Sequence, residues 1–183
     1  MRSLRLSQQQ VKSIMDDVLT AYPHEACGMI AGQGIDAIQI LRIDNVADQP
    51  QSHYVMDGMM QLQALKTFEH QGLDWLAVYH SHPEGKPQPS QEDIRAAVLH
   101  TPNLIHVIVG LKNHQTQLQA WHIHDGQVDE VELLIGSQAS MAVPSVSRLE
   151  TWSVIFAILL GIIILVVISF LLLPPAPSLP LPQ

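Results

Sequence analysis

An α/β domain followed by one long apolar helix is the fold that this sequence predicts, and three observations predict it. Between residues 5 and 135, segments with apolar side chains at helical spacing alternate with short runs of β-branched and aromatic residues. One such run, Trp75 to Tyr79, leads straight into His80-Ser81-His82-Pro83, which places two imidazoles one pleat apart on one strand face. Residues 152 to 173 hold no charged side chain at all.

The elements follow in order. Ser7 can cap a helix whose apolar positions Val11, Ile14, Met15 and Val18 recur at helical spacing, and Pro23 closes it. Glu25 to Ala31 reads as a strand, Gly32-Gln33-Gly34 as a hairpin turn and Ile35 to Ile43 as the partner strand. Residues 44 to 56 are irregular. Asp57 starts a helix through Gln71, with Met60, Leu62, Leu65 and Phe68 as its expected buried positions, and Gly72 ends it. His53 and His70 read as surface residues. After the histidine-bearing strand, a helix is expected from Ser90 to about His100 and a strand over Leu104 to Val109. Lys112-Asn113-His114 reads as a turn, Gln117 to His124 as a strand, and Asp125-Gly126 as a tight hairpin into Val128 to Ile135. The second H-x-H, His122 and His124, lacks a nearby third ligand on a defined turn and reads as the outer face of its strand.

At 183 residues the chain has room for one globular domain with its own core. Lys and Arg total 9 against 17 Asp and Glu, a net charge of −8, which argues against nucleic-acid binding because no basic stripe can neutralise phosphates. The single cysteine, Cys27, rules out an internal disulfide framework and fits a reducing compartment. It reads as a small buried residue.

The chemistry gathers in Tyr79 to Asp93, Y-H-S-H-P-E-G-K-P-Q-P-S-Q-E-D. Pro83, Gly85, Pro87 and Pro89 turn the chain after the strand, and Ser90 to Asp93 has the form of a helix N-cap with an acid in the first turn. That turn can bring Asp93 back to His80 and His82. Two imidazoles and one carboxylate leave a fourth tetrahedral position for water, the hallmark of a catalytic zinc site. Glu25 is a carboxylate at the start of an apolar strand, costly to bury without a purpose.

H-S-H-P, six residues, then S-x-x-D resembles the JAMM motif of the Jab/MPN-type zinc metallopeptidases, with Glu25 in P-H-E-A-C-G-M-I-A-G supplying the upstream glutamate. The resemblance covers about residues 5 to 135. It implies a single MPN/JAMM-like domain, a curved mixed sheet flanked by helices in a cytidine-deaminase-like sandwich. It further implies Zn²⁺ held by His80, His82 and Asp93, Glu25 as general base and acid, and Ser90 as a stabiliser of the oxyanion. The implied reaction is hydrolysis of a peptide or isopeptide bond at the C-terminus of a ubiquitin-like protein. With no long insertion around the motif, the chain looks like the stand-alone prokaryotic members, which act on sulfur-carrier proteins or their conjugates. An extended carrier tail could add a strand beside the sheet. Two other readings are set against this one. A tethered scaffolding module of the same fold would have lost its ligands, whereas the set is complete. A deaminase would need H-x-E and P-C-x-x-C, which a single cysteine cannot supply.

Residues 136 to 151 read as a linker and 152 to 173 as a transmembrane helix, since 22 residues at about 1.5 Å each span about 33 Å. Residues 174 to 183 form a proline-rich tail. With no N-terminal signal and only Arg148 near the span, the expectation is a single-pass C-terminal anchor with the domain on the cytoplasmic side.

Overall fold

The computed structural model describes residues 2–112 and 115–136. The remainder of the expected turn at 113–114, the linker beyond residue 136, the membrane helix at 152–173 and the tail lie outside the described residues. Among the described residues, no helix is long and apolar enough to cross a membrane.

Ten elements run in the order β1 (Ser3–Ser7), α1 (Gln8–Ala21), β2 (Cys27–Gln33), β3 (Asp36–Ile43), α2 (Gly58–Gln71), β4 (Asp74–His82), α3 (Gln91–His100), β5 (Ile105–Lys112), β6 (Gln115–His124) and β7 (Gln127–Gly136). The sheet is mixed. It is parallel where β1 meets β3 and β7 and where β4 meets β5, and antiparallel elsewhere. Its curvature goes further than a sandwich requires, because the strand order β1-β3-β2-β4-β5-β6-β7 closes on itself. β1 was not expected: Ser-Leu-Arg-Leu-Ser is too short to read as a strand, and it is held by partners about 130 residues away. Its Ser3 pairs with Glu132, and Leu4 and Leu6 are fully buried.

One cluster lines the inside and draws on all seven strands, including Leu4, Ile30, Ala37, Tyr79, Val107, Ala120 and Val131. Helix α1 plugs it with Ile14 and Val18, each worth about 1.5–3 kcal/mol on full burial. The helix starts as expected, in a capping box where Ser7 Oγ accepts from the Gln10 N–H and the Gln10 side chain accepts from the Ser7 N–H. On the outer face α2 packs Ala64 and Phe68 against Met29, Ala31 and Ile43. Met60 and Leu65 pack at the margin of that cluster. Leu62, expected to be buried, is 45% exposed, since it lies on the opposite side of the helix from the row Met60, Ala64, Phe68.

Closure limits where the expected guest strand could add, without covering the edge of β3, which meets β1 at a single residue pair. β4, the histidine-bearing strand, is paired on one side with β2 and on the other with β5, so no guest strand can join the sheet beside it. The hairpin turn also shifts: β2 continues through Gln33 and the two turn residues are Gly34, at φ +61°, and Ile35.

Candidate metal centre

β4 ends with His80 and His82 on the outer face, the side that carries α2. The register sets Cys27 opposite His80, so Glu25, two residues ahead of Cys27, approaches on that same face. The turn at 83–89 folds back, and α3 begins at the cap Ser90. Ser90 Oγ accepts from the Asp93 N–H at 3.1 Å, and the Ser90 N–H donates to Asp93 Oδ2 at 2.7 Å. The cap expected from sequence therefore also holds the carboxylate in place, 92% buried.

The three side chains converge. His80 Nε2 and His82 Nε2 are 3.1 Å apart, His80 Nε2 is 3.4 Å from Asp93 Oδ1, and His82 Nε2 is 3.3 Å from Asp93 Oδ2. A tetrahedral ion with bonds of about 2.0–2.1 Å sets its ligand atoms about 3.3–3.4 Å apart. The spacing fits a four-coordinate divalent cation such as zinc with three protein ligands. Orientation of one ring is also set: Lys86 O can only accept, so His82 Nδ1–H donates to it at 2.9 Å and leaves Nε2 bare for a metal. His80 Nδ1 is buried with no hydrogen-bond partner, while Tyr54 stacks on its ring at 4.4 Å between centroids.

The electrostatics agree with this assignment. Burial lowers the His80 pKa and keeps the ring neutral, the form that ligates metals. For His82 and Asp93 burial works against the charged form, but their mutual contact outweighs it. That contact raises His82, and the neighbouring His80 and His82 rings together with the Ser90 N–H hold Asp93 well below the usual carboxylate range. Glu25 is 95% buried, and burial pushes its carboxyl up to about 7, with His82 and His53 pulling down and Asp93 and Glu92 pushing up. A carboxyl poised near neutrality can take and return a proton. Burial likewise pushes the Cys27 thiol up to about 12, and its Sγ donates to Ile43 O at 3.4 Å, so this cysteine packs as expected.

Several residues that position the site went unread in the sequence. Ser81 is fully buried on the inner face, and its Oγ accepts from the Ala26 N–H at 2.9 Å while its own N–H donates to Ala26 O at 3.0 Å. That double bond locks the Glu25 segment alongside the two histidines. Asn45 donates to Glu25 O and His53 O and accepts from the N–H groups of Ala47 and Val55, all at 2.9–3.0 Å. The Glu25 N–H donates to Pro50 O. His53 lies at the surface as read, 36% exposed along its side chain, and meets Glu92 at 2.7 Å, which joins the 44–56 loop to the start of α3. Between that loop and α3 lies a cleft of ≈ 850 Å³, lined by His53, Tyr54, Ser90, Glu92, Asp93 and Ala96 among others.

The second histidine pair also departs from expectation. Ile105 pairs with His122 across β5–β6, which puts His122 and His124 on the inner face with Ala120, and His122 is only 7% exposed. Asp129, directly opposite His122, completes a second group of possible metal ligands.

Known proteins resemble this chain in sequence and in fold. A "Probable TtuB-protein conjugate cleaving protease" of Thermus thermophilus is 38% identical over 88 residues, 48% of this chain and 59% of that protein. A "Desampylase" of Haloferax volcanii is 38% identical over 74 residues, 39% of this chain and 52% of that protein. The chain thus spans little more than half the length of these two relatives. A solution structure from Desulfitobacterium hafniense superposes with a TM-score of 0.67 at 29% identity, covering 75% of this chain and 95% of that one. The family model for prokaryotic homologs of the JAB domain matches residues 7–124, and the chain belongs to that family.

Proposed function

We propose that this protein is a zinc-dependent hydrolase that cuts a peptide or isopeptide bond at the C-terminus of a ubiquitin-like or sulfur-carrier protein. The observation that carries the reading is the approach of His80, His82 and Asp93 at tetrahedral spacing beside a buried Glu25 with a near-neutral pKa. Zinc held by these three residues supplies Lewis acidity, which activates water and polarises a carbonyl. Glu25 takes the proton from the attacking water and returns it to the leaving amine. Ser90 spends its oxygen lone pair on the Asp93 N–H, which leaves its hydroxyl hydrogen to stabilise the developing oxyanion. The names of the relatives, a conjugate-cleaving protease and a desampylase, support a protein-conjugate substrate. Because β4 has no free edge, the carrier tail lies in the cleft between the 44–56 loop and α3. Residues 152–173 anchor the enzyme in a lipid bilayer, with the domain on the cytoplasmic side and residues 136–151 as its tether.

The test is to incubate the zinc-loaded chain with ubiquitin-like proteins extended beyond Gly-Gly and to weigh the products by mass spectrometry. Cleavage after the terminal glycine is expected. Glu25→Gln should retain zinc and lose at least about 10²-fold in rate, the low end for removing a general base. No cleavage of any such substrate by the zinc-loaded protein, or full activity in Glu25→Gln, would sink the proposal.

A further inference from the structure

His122, His124 and Asp129 lie on the face of the sheet opposite His80 and take no part in the chemistry above. A two-residue turn at Asp125 (φ +48°) and Gly126 (φ +76°) fixes the register of the β6–β7 hairpin. That register sets His122 against Asp129 and His124 against Gln127, so both imidazoles and the carboxylate share one face. The two rings stack at 4.6 Å with their planes 21° apart. Each of the three residues offers a ligand atom within 4.8 Å of the others. His124 Nδ1 is 3.7 Å from Asp129 Oδ2.

The independent sign of a ligand is what these rings lack. His122 Nε2 and His124 Nδ1 are both shielded from solvent and have no hydrogen-bond partner, and His122 is 93% buried. Leaving buried ring nitrogens unpaired is costly, and buried polar groups are nearly always satisfied. A cation accepted by both nitrogens removes that cost. Among the described residues, Arg2, His124 and Asp129 are the charged or titratable groups whose fields reach His122, and of these three only Asp129 carries a negative charge. We propose that His122, His124 and Asp129 bind a second divalent transition-metal ion, with zinc as the test species.

Two nitrogens and one oxygen suit zinc and its borderline neighbours, whereas calcium and magnesium need a shell of oxygens. Asp129 is 68% exposed along its side chain and free to change rotamer, so it can shorten its 3.7 Å approach to His124 towards the about 3.3 Å that a tetrahedral ion demands. The adjoining hairpin end, Asp125 to Gln127, is exposed to water. Bound there, the ion ties β6 to β7 across the hairpin. This inference does not rest on the proposed hydrolase activity.

The experiment strips the full-length chain in detergent with a chelator, reloads it with zinc, and counts metal per chain by inductively coupled plasma mass spectrometry. Wild type should hold two ions. The double variant His124→Gln, Asp129→Asn should hold one, and so should His82→Ala. In competition against a chromophoric chelator, Asp129→Asn alone should weaken the second site at least tenfold and leave the first unchanged. Because Asp129 is exposed, that variant separates ligand loss from misfolding. Backbone amides of Gln127–Val131 should exchange more slowly once the second ion is added. One ion in wild type that the double variant retains, or two in the double variant, overturns the proposal.

Discussion

Gly110→Ala should loosen the metal centre through a residue that supplies no ligand. Gly110 pairs with His82 across β4–β5, and the 83–89 turn folds back over it. A Cβ there would lie 2.7 Å from Gly85 O and Pro87 N and 2.8 Å from Lys86 C, all backbone atoms. Ordinary contact begins near 3.4 Å, so the turn must lift by about 0.7 Å. Lys86 O holds the His82 ring and Ser90 holds Asp93, so both ligands ride on that turn. Metal–ligand bonds tolerate only about ±0.2 Å. Overpacking of this kind costs about 1–3 kcal/mol. If the metal-bound state carries all of it, zinc affinity falls about 5- to 150-fold. Chelator competition on the purified variant, with urea melts of the stripped protein alongside, measures both quantities. Zinc binding within twofold of wild type would show that β5 rather than the turn absorbs the clash, and the coupling of Gly110 to the ligands would be refuted.

Three further outcomes are expected. Asn45→Ala removes four hydrogen bonds from one side chain and should cost about 2–4 kcal/mol, whereas Asn45→Asp keeps the two acceptor bonds and should cost less; chemical denaturation of the zinc-free protein ranks them. Trp121→Phe loses the donation from Nε1 to Pro87 O at 2.7 Å and should weaken zinc binding about fivefold, about 1 kcal/mol, in the same chelator titration. Burial, followed by the charge of His80, pushes His106 down to about 4, so the unfolded chain takes up a proton near pH 6.5 that the folded chain refuses until about pH 4. Stability present above pH 6.5 is therefore lost as pH falls through that window, by about 3 kcal/mol. His106→Gln should have a shallower acid limb than wild type in urea melts, and parallel limbs would refute the assignment.

What the sequence disclosed was local. The strand into His80, the proline-rich turn and the Ser90 cap all lie between Asp74 and Ser90, so their spacing is visible as written. Glu25 came through resemblance to a family motif, since no spacing rule links it to residues 55 positions on. Ser81, Asn45 and Tyr54 went unread for a related reason. Their partners Ala26, Glu25 and His80 are set beside them only by sheet closure and the 44–56 loop. Alternation along a strand puts His122 and His124 on one face and Trp121 and Ile123 on the other, but it cannot say which face looks inward. Closure decided that, and Ile123 on the other face is fully buried as well. β1 failed as a local pattern because its stability is borrowed from β7.

That pairing of first strand with last governs when the domain can become whole. Ser3 to Ser7 run parallel to Glu132 to Gly136, and β1 touches β3 at a single residue pair, Arg5 with Asp36. Bringing Ser3 to Glu132 without other structure costs about 4 kcal/mol in chain entropy beyond a fixed term. The intervening hairpins must form first and shorten the effective loop. A growing chain therefore holds Leu4 and Leu6 without their cover until β7 has been made, and the seam of the barrel is the last part to close.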